Sequence, residues 1–325
     1  MIRVLLTLAA LAIGVSIDVS AAQAETYPSR PVTIIVPFAA GGPSDVTARI
    51  VADQLAKRLG QQFVIENVNG AGGTLGAIRA ARAAPDGYTL VLGHMGTHAA
   101  AVALYPNLAY DPRTDFAPIG LVAETPEVVV TRKDLPPNTL REFVVYAKAN
   151  ERTLNMAHSG VGSISYVGCV LLNAAIGIKP TMVPFTGSAP ATNALLAGQV
   201  DYFCDPIVAQ MAHIRAGTLK GLAIAAPTRH PLLPDVPTAA EQGLPGFAAS
   251  PFFALFAPKG TPRPIVNALA AALDQSLDDP AARARLTELG AAIAEKSRRG
   301  PAPLAALVKS EIARLTPILQ AAAGN

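Results

Sequence analysis

Short apolar runs alternate with longer amphipathic segments along most of the chain, and glycine-rich loops stand between them. The first unit begins with Thr33–Val36, a β-branched run that is typical of a buried strand. After a loop, Val46–Leu59 has the apolar spacing of a helix that buries one face, and Gly60 ends it. This unit predicts a strand, a loop and a helix in that order.

The same alternation continues to the C-terminus and predicts an α/β protein. The other predicted strands are Phe63–Glu66, Tyr88–Leu92, Asp115–Ala123, Val128–Thr131, Leu154–Ala157, Thr181–Phe185, Val200–Asp205, Leu219–Ala225 and Phe252–Ala257. The other predicted helices are Ala77–Ala84, Arg141–Ala149, Tyr166–Ile176, Ala191–Ala197, Val208–Arg215, Thr238–Gln242, Pro264–Asp274, Ala281–Leu289 and Pro303–Gln320.

The chain is long enough for two lobes, with 325 residues of which 51% are hydrophobic. The polar kink Glu124–Pro126 interrupts a long extended stretch and is predicted to carry the chain into a second lobe. The proline-rich connector Pro227–Pro245 precedes the predicted return at Phe252–Ala257. We therefore expect one lobe from 25–124 plus 246–325 and the other from 125–245.

The N-terminus predicts export. Arg3 is followed by the largely apolar run Val4–Val15, and Ala22–Ala24 matches a signal-peptidase site. Residues 1–24 are thus predicted to be a signal peptide cleaved after Ala24, which leaves an exported mature chain that begins at Glu25. An uncleaved signal anchor is the alternative, although no later stretch reaches the length of a membrane span.

Composition and motifs exclude several function classes. The formal net charge is +3, there is no tryptophan, and no basic run is present, so nucleic-acid binding is not expected. No nucleophile elbow, Walker loop, zinc-protease motif or cysteine cluster is found. Gly70, Gly72 and Gly76 depart from the dinucleotide-binding spacing, so no nucleotide cofactor is predicted.

Glycine- and serine-rich loops recur at strand ends in both halves. Phe38–Asp45 leads into one helix, and Thr186–Pro190 leads into another with proline in its first turn. The unpaired N–H groups of a helix N-terminus attract anions, so two such loops facing each other across a cleft would hold a ligand with two anionic ends. Tight turns without a ligand are the alternative for each loop taken alone.

Five polar or sulfur-containing side chains remain open to two interpretations. His94 and His98 are spaced for a metal on a helix, but no carboxylate or thiolate joins them, so ligand-lining or structural roles are preferred. Asp205 ends a strand and either orients a ligand group or caps a helix. Cys169 and Cys204 are predicted to form a disulfide worth about 3–4 kcal/mol, with two buried free thiols as the alternative.

Several motifs together resemble the receptors of tripartite tricarboxylate transporters, the Bug family. They occur in order along almost the whole mature chain: Pro31–Asp45, Asn69–Gly73, Ala84–Leu90, Phe185–Pro190, Leu233–Thr238 and Phe256–Pro262. The resemblance implies a two-lobed type II periplasmic solute-binding fold, with a mixed sheet flanked by helices in each lobe and a ligand cleft between the lobes. It also implies a monomer that binds a small organic anion, a dicarboxylate above all, and delivers it to a two-component membrane permease.

The resemblance and the loop pattern give one set of expected ligand contacts. These are Phe38, Ala39, Gly41, Gly42, Ser44, Asp45, His94, Gly96, Thr97, His98, Ser163, Ser165, Tyr166, Thr186, Gly187, Ser188, Ala189 and Asp205. Tyr166 stands where many relatives carry histidine, and Phe253 stands where relatives often have tryptophan. Both differences put the ligand preference in question.

Two other functions fit part of the sequence. An exported hydrolase would use Ser163 or Ser188 and needs a hydrogen bond from that serine to His94, His98 or His158. A sensory module would use the same fold to present its ligand state to a membrane signalling partner, and the sequence does not separate sensing from transport.

Overall fold

The computed structural model describes residues 27–323. The predicted signal peptide and its cleavage site lie outside the described residues. The strands are β1 Val32–Val36, β2 Phe63–Asn67, β3 Thr89–His94, β4 Phe116–Glu124, β5 Glu127–Arg132, β6 Asn155–His158, β7 Thr181–Pro184, β8 Tyr202–Pro206, β9 Leu219–Ile224, β10 Phe252–Pro258 and β11 Ala292–Ile293. The helices are α1 Pro43–Leu59, α2 Thr74–Ala81, α3 Ala101–Leu104, α4 Leu140–Ala149, α5 Ile164–Ile176, α6 Ser188–Leu196, α7 Ile207–Arg215, α8 Arg263–Asp278, α9 Pro280–Glu288 and α10 Pro301–Ala323.

The strands form two mixed sheets, and each sheet is the centre of one lobe. The six-stranded sheet of lobe 1 has the order β11-β4-β10-β3-β1-β2, and the five-stranded sheet of lobe 2 has the order β7-β6-β8-β5-β9. In lobe 1, β1 is parallel to β2 and β3, and β10 is antiparallel to β3 and β4. In lobe 2, β6 is parallel to β7 and β8, and β5 is antiparallel to β8 and β9.

The two sheets share one topology. In each, three parallel strands are followed by an antiparallel strand from the segment that has just crossed from the other lobe, β10 in lobe 1 and β5 in lobe 2. This arrangement is the type II exchange of strands between lobes. The predicted two-lobed α/β fold is confirmed.

The two crossing segments run side by side between the lobes. The backbone N–H of Thr125 donates to Pro251 O, and that of Glu127 donates to Ala249 O, both at 3.0 Å. The N–H of Ala225 in turn donates to Glu127 O at 2.8 Å. These bonds join the two connections into one short ribbon, which is where a hinge between the lobes has to lie.

Most predicted elements are present, with boundaries moved by a few residues. The exception is Thr238–Gln242, which the structure describes as a bridge residue and turns rather than a helix. Thr238 pairs with Ile224 at the edge of the second sheet, and this pairing draws the segment out of a helical conformation. The sequence pattern also missed α3 and β11, which are too short to show a period.

The predicted disulfide is not formed in the structure. Cys169 on α5 and Cys204 on β8 are both free and fully buried. Burial raises the pKa of each thiol. The alternative of two buried free thiols is therefore what the structure describes.

Candidate functional site

The main cavity of the described chain lies between the two lobes, at the carboxyl ends of the parallel strands. Its volume is about 610 Å³, large enough for a small organic ligand. Lobe 1 contributes the loop between β1 and α1 together with His94 at the end of β3. Lobe 2 contributes the loops after β6 and β7 and the end of β8. The position agrees with the rule that ligands gather at the carboxyl edge of α/β sheets.

Most of the residues selected from the sequence line this cavity. Thirteen of them do so: Phe38, Ala39, Gly41, Gly42, Ser44, His94, Ser163, Ser165, Thr186, Gly187, Ser188, Ala189 and Asp205. Ten further lining residues were not selected: Ala40, Pro43, Ser159, Ile164, Pro190, Thr192, Asn193, Pro206, Ala209 and His213. Thr192 follows Ser188 by four residues on α6, which places both side chains on the same face of the helix. This spacing could have identified Thr192 as a lining residue from the sequence.

The wall from lobe 1 is a loop held in place by Asp45. The Asp45 carboxylate accepts hydrogen bonds from the Gly41 N–H at 2.9 Å and from Arg49 Nε at 2.9 Å and Nη2 at 3.0 Å. Asn67 Nδ2 also donates to Asp45 at 3.0 Å and to Phe38 O at 2.9 Å. Burial raises the pKa of Asp45, but these donors outweigh it and lower the pKa overall. Asp45 is therefore ionised and stabilises the loop from behind, and it does not itself line the cavity.

Four helices begin at the cavity, and three of them lack a side-chain cap. Gly42 precedes α1, Gly187 precedes α6 and Pro206 precedes α7, and none of the three gives a capping side-chain hydrogen bond. The first N–H groups of a helix have no partner within the helix, so those of α1 and α6 are available to a bound group. Because α1 belongs to lobe 1 and α6 to lobe 2, the two donor sets stand on opposite lobes.

The fourth helix is capped by its own serine. Ser163 accepts from the Tyr166 N–H at 3.2 Å and lies 3.2 Å from Ser165 Oγ. Ser165 Oγ accepts from the Ser159 N–H at 3.0 Å. These contacts order the loop after β6 and leave a group of hydroxyls on the second-lobe wall.

The cavity wall carries no lysine or arginine side chain among the described residues. Its one carboxylate is Asp205, which is 1% exposed. Burial raises the pKa of Asp205 to about 7, and hydrogen bonds from Gln210 and Ser188 limit that rise. Recognition of an anion here has to come from backbone N–H groups, helix dipoles and neutral side-chain donors.

His94 is a neutral donor on the lobe 1 side. The Gly96 N–H donates to His94 Nδ1 at 2.8 Å, so the neutral ring carries its proton on Nε2. Burial lowers the pKa of His94 to about 3, and the ring packs on Phe38 with centroids 4.7 Å apart. Phe253, which stands where relatives often carry tryptophan, touches the edge of His94 and does not line the cavity. Its effect on the site therefore passes through His94.

Five predicted contacts lie behind the cavity wall: Asp45, Gly96, Thr97, His98 and Tyr166. His98 stacks on Phe256 with centroids 4.0 Å apart and lies 2.9 Å from Thr97 Oγ1. Tyr166 is buried in the core and packs against His158 with centroids 5.1 Å apart. His98 and Tyr166 are turned inward because each has an aromatic packing partner on the core side, which the sequence alone does not reveal.

The two lobes touch directly beside the cavity. The Tyr105 hydroxyl of lobe 1 lies 2.8 Å from Val161 O of lobe 2 and 3.0 Å from Ala71 O. Gly72 has no room for a side chain, because a Cβ there would lie 1.9 Å from Val161 O. A Cβ at Gly96 would likewise lie 2.2 Å from Gly162 O of the other lobe. Glycines thus permit the close approach of the lobes.

The geometry gives no support to the hydrolase alternative. Ser163 bonds Ser165 and the Tyr166 N–H, and Ser188 bonds Asp205 and Ser159. No serine–histidine hydrogen bond occurs at either serine in the described chain. The described residues also contain no group of three or more side chains suited to a metal, and none of their helices is long and apolar enough to cross a membrane.

Comparisons with known proteins agree with this architecture. A family model described as "Tripartite tricarboxylate transporter family receptor" matches residues 47–323. The structure of MatC from Rhodopseudomonas palustris with bound malate is 51% identical with a TM-score of 0.86, covering 90% of this chain and 100% of that one. The periplasmic binding protein BugD is 40% identical with a TM-score of 0.84, covering 91% and 99%. R. palustris Rpa4515 with adipate is 34% identical with a TM-score of 0.85, covering 91% and 98%.

Proposed function

Because this chain belongs to the receptor family of tripartite tricarboxylate transporters, and is therefore a solute-binding receptor rather than an enzyme, we propose that it captures a dicarboxylate between its two lobes. The observation that carries the proposal is the pair of uncapped helix starts, α1 and α6, on opposite walls of one cavity. One carboxylate binds the first-lobe loop Phe38–Ser44, and the other binds the second-lobe loop Thr186–Ala189.

The chemistry of the wall supports an anionic ligand without a fixed positive side chain. Each helix start contributes about 0.3–1 kcal/mol when exposed and up to about 2 when partly buried. The neutral donors Ser44, His94 and Ser163 add hydrogen bonds that favour carboxylate oxygens. MatC with bound malate and Rpa4515 with adipate are diacid complexes of the same family fold, which supports a diacid here.

Ligand binding is proposed to close the lobes. A diacid touches both walls only when they face each other at close range, so it stabilises that state over an open one. The contact of Tyr105 with Val161 forms in the same state.

The proposed division is 25–124 plus 246–325 for lobe 1 and 125–245 for lobe 2.

The cellular role follows from the family. We propose that the chain is exported to the periplasm by the signal peptide 1–24, acts as a monomer, and hands its ligand to a two-component membrane permease. The periplasmic binding protein BugD, similar over nearly the whole chain, supports this location.

Isothermal calorimetry on the mature protein tests the ligand class. Malate, succinate and adipate are titrated beside a monocarboxylate, a neutral sugar and a cationic amine of matched size. At least one diacid is expected to bind at least tenfold more tightly than the monocarboxylate, for which acetate is used, because only a diacid engages both helix starts. A clear response to the sugar or the amine with none to any diacid would overturn the proposal.

A further inference from the structure

Gln210 is a buried polar side chain behind the second-lobe wall. It lies on α7, is 0% exposed and does not line the cavity. Its amide Nε2 donates to Thr192 Oγ1 at 2.8 Å and to Asp205 Oδ2 at 2.9 Å. Thr192 and Asp205 both line the cavity, so one amide group contacts two wall residues from behind.

Gln210 holds the Asp205 carboxylate in place, and that carboxylate determines what Ser188 can offer a ligand. Asp205 has one oxygen occupied by Gln210, and its other oxygen accepts the Ser188 hydroxyl proton at 3.0 Å. A hydroxyl has a single proton, so Ser188 Oγ has only lone pairs left for its other neighbours, which are Ser159 Oγ at 3.4 Å and a group in the cavity. A ligand group beside Ser188 therefore has to be a hydrogen-bond donor.

The bond to Thr192 has the opposite effect. Thr192 Oγ1 accepts from Gln210 and makes no other hydrogen bond with the described residues. Its own proton is left to donate into the cavity that it lines. A ligand group beside Thr192 therefore has to be an acceptor, such as a carboxylate oxygen.

We infer that Gln210 is a positioning residue that sets the hydrogen-bond polarity of the second-lobe wall, with Thr192 as donor and Ser188 as acceptor. The inferred ligand class is a dicarboxylate that carries a hydroxyl or amine donor next to one carboxylate. This inference rests on the proposed function and adds to it the feature of the diacid that lobe 2 recognises.

The polarity requires Asp205 to be ionised. Because its pKa is about 7, Asp205 is mostly ionised only above neutral pH. The titratable groups packed around it are Glu127 on β5, Cys169 on α5 and Cys204 on β8, and burial raises the pKa of all three, those of Glu127 and Cys204 strongly. Burial therefore favours the neutral form of these three groups, and pH 8 lies above the pKa of Asp205, so the Asp205 carboxylate carries charge there.

Calorimetry at pH 8 tests the inference with L-malate, L-aspartate and succinate, three diacids that share a four-carbon chain. The wild-type protein is expected to bind malate or aspartate about tenfold more tightly than succinate, the effect of one hydrogen bond to a charged or polarised group. Gln210→Met keeps the volume and removes both bonds. It is expected to reduce that ratio to below threefold while the affinity for succinate changes less than threefold.

The outcomes separate the two proposals. Equal loss of affinity for all three diacids, or an unchanged ratio, would show that Gln210 has only a structural role and would overturn the inference. Wild-type protein that binds the diacids without discrimination would also overturn it and leave the proposed function standing. If none of the three diacids binds, the proposed function and the inference both fail.

A second variant keeps the test decisive if Gln210→Met does not fold. Ser188→Ala removes the acceptor and leaves Gln210 in contact with Thr192 and Asp205. The preference for malate or aspartate over succinate is expected to disappear in this variant. Thr192→Val removes the donor instead and is expected to weaken all three diacids equally. A preserved preference in Ser188→Ala contradicts the inferred polarity.

Discussion

The carboxylate of Asp45 holds the backbone N–H of Gly41 at 2.9 Å, so the first-lobe wall is shaped by a residue that does not line the cavity. Gly41 has a φ of +80°, a conformation that side-chain-bearing residues rarely adopt. The bond from Asp45 fixes that conformation, and the ion pair with Arg49 fixes Asp45. The loop is therefore presented to a ligand already ordered.

Asp45→Asn is expected to weaken diacid binding about tenfold and to lower the free energy of unfolding by about 2 kcal/mol, because a buried charge-assisted network is broken. Calorimetry and urea unfolding measure the two effects. Asp53→Asn is the matched control, since Asp53 pairs with Lys57 on the exposed face of the same helix. That control is expected to change neither quantity by a measurable amount. Equal effects of the two variants would contradict the role given to Asp45.

Gly72→Ala is expected to weaken ligand binding at least about tenfold, because the new Cβ would collide with Val161 O of the other lobe and keep the lobes apart. Gly60→Ala is the control. Gly60 has a similar φ of +71° but nothing within 4 Å of a Cβ, so both variants incur the same backbone strain of about 1 kcal/mol. Only Gly72→Ala is expected to change affinity, measured by calorimetry, whereas both lower the melting temperature. Unchanged affinity in Gly72→Ala would show that the lobes do not meet there when ligand is bound.

The buried histidines are expected to make the protein less stable in acid. Burial lowers the pKa of His94 and of His98 to about 3, from 6.5 in the unfolded chain. As the pH falls below 6.5 the unfolded state takes up protons that the folded state does not, so stability present above pH 6.5 is lost toward pH 3. Each histidine is expected to cost about 1.4 kcal/mol per pH unit in that window.

Urea unfolding at pH 7 and pH 5 measures this loss. His98→Phe and His98→Gln pack differently but neither titrates, so both are expected to reduce the loss between the two pH values by about 2 kcal/mol. The free energy of unfolding of each variant at pH 7 is its own reference, so that altered packing is separated from the effect of titration. A loss as large as that of the wild type in both variants would mean that His98 is protonated in the folded protein.

The two cysteines are expected to be unreactive in the folded protein and fully reactive once it unfolds. Both thiols are buried and free. Iodoacetamide without reductant is expected to add nothing to the native exported protein and two groups per chain in denaturant, as read by mass spectrometry. The absence of label in denaturant would instead indicate the disulfide that was predicted from the sequence. The same labelling in denaturant with reductant present is the control for complete unfolding, because it adds two groups per chain whether or not a disulfide was present.

Local sequence determined the elements of the fold. Apolar runs such as Thr33–Val36 and the helical spacing of Val46–Leu59 depend on neighbours close in the chain, so both appear where expected. The loops that line the cavity were visible for the same reason, because glycine, serine and proline directly after a strand mark a turn at the edge of the sheet. The order of motifs along the chain then indicated the two-lobed fold.

Tertiary structure decided which polar groups reach the cavity. Asp45, His98 and Tyr166 stand in or beside the right loops, yet each is turned inward by a partner on another element: Asn67, Phe256 and His158 respectively. Gln210 had no signal at all, since its importance lies in two hydrogen bonds that exist only after α6, α7 and β8 have packed. Burial and hydrogen-bond direction arise from long-range packing, and a linear pattern of residues does not contain them.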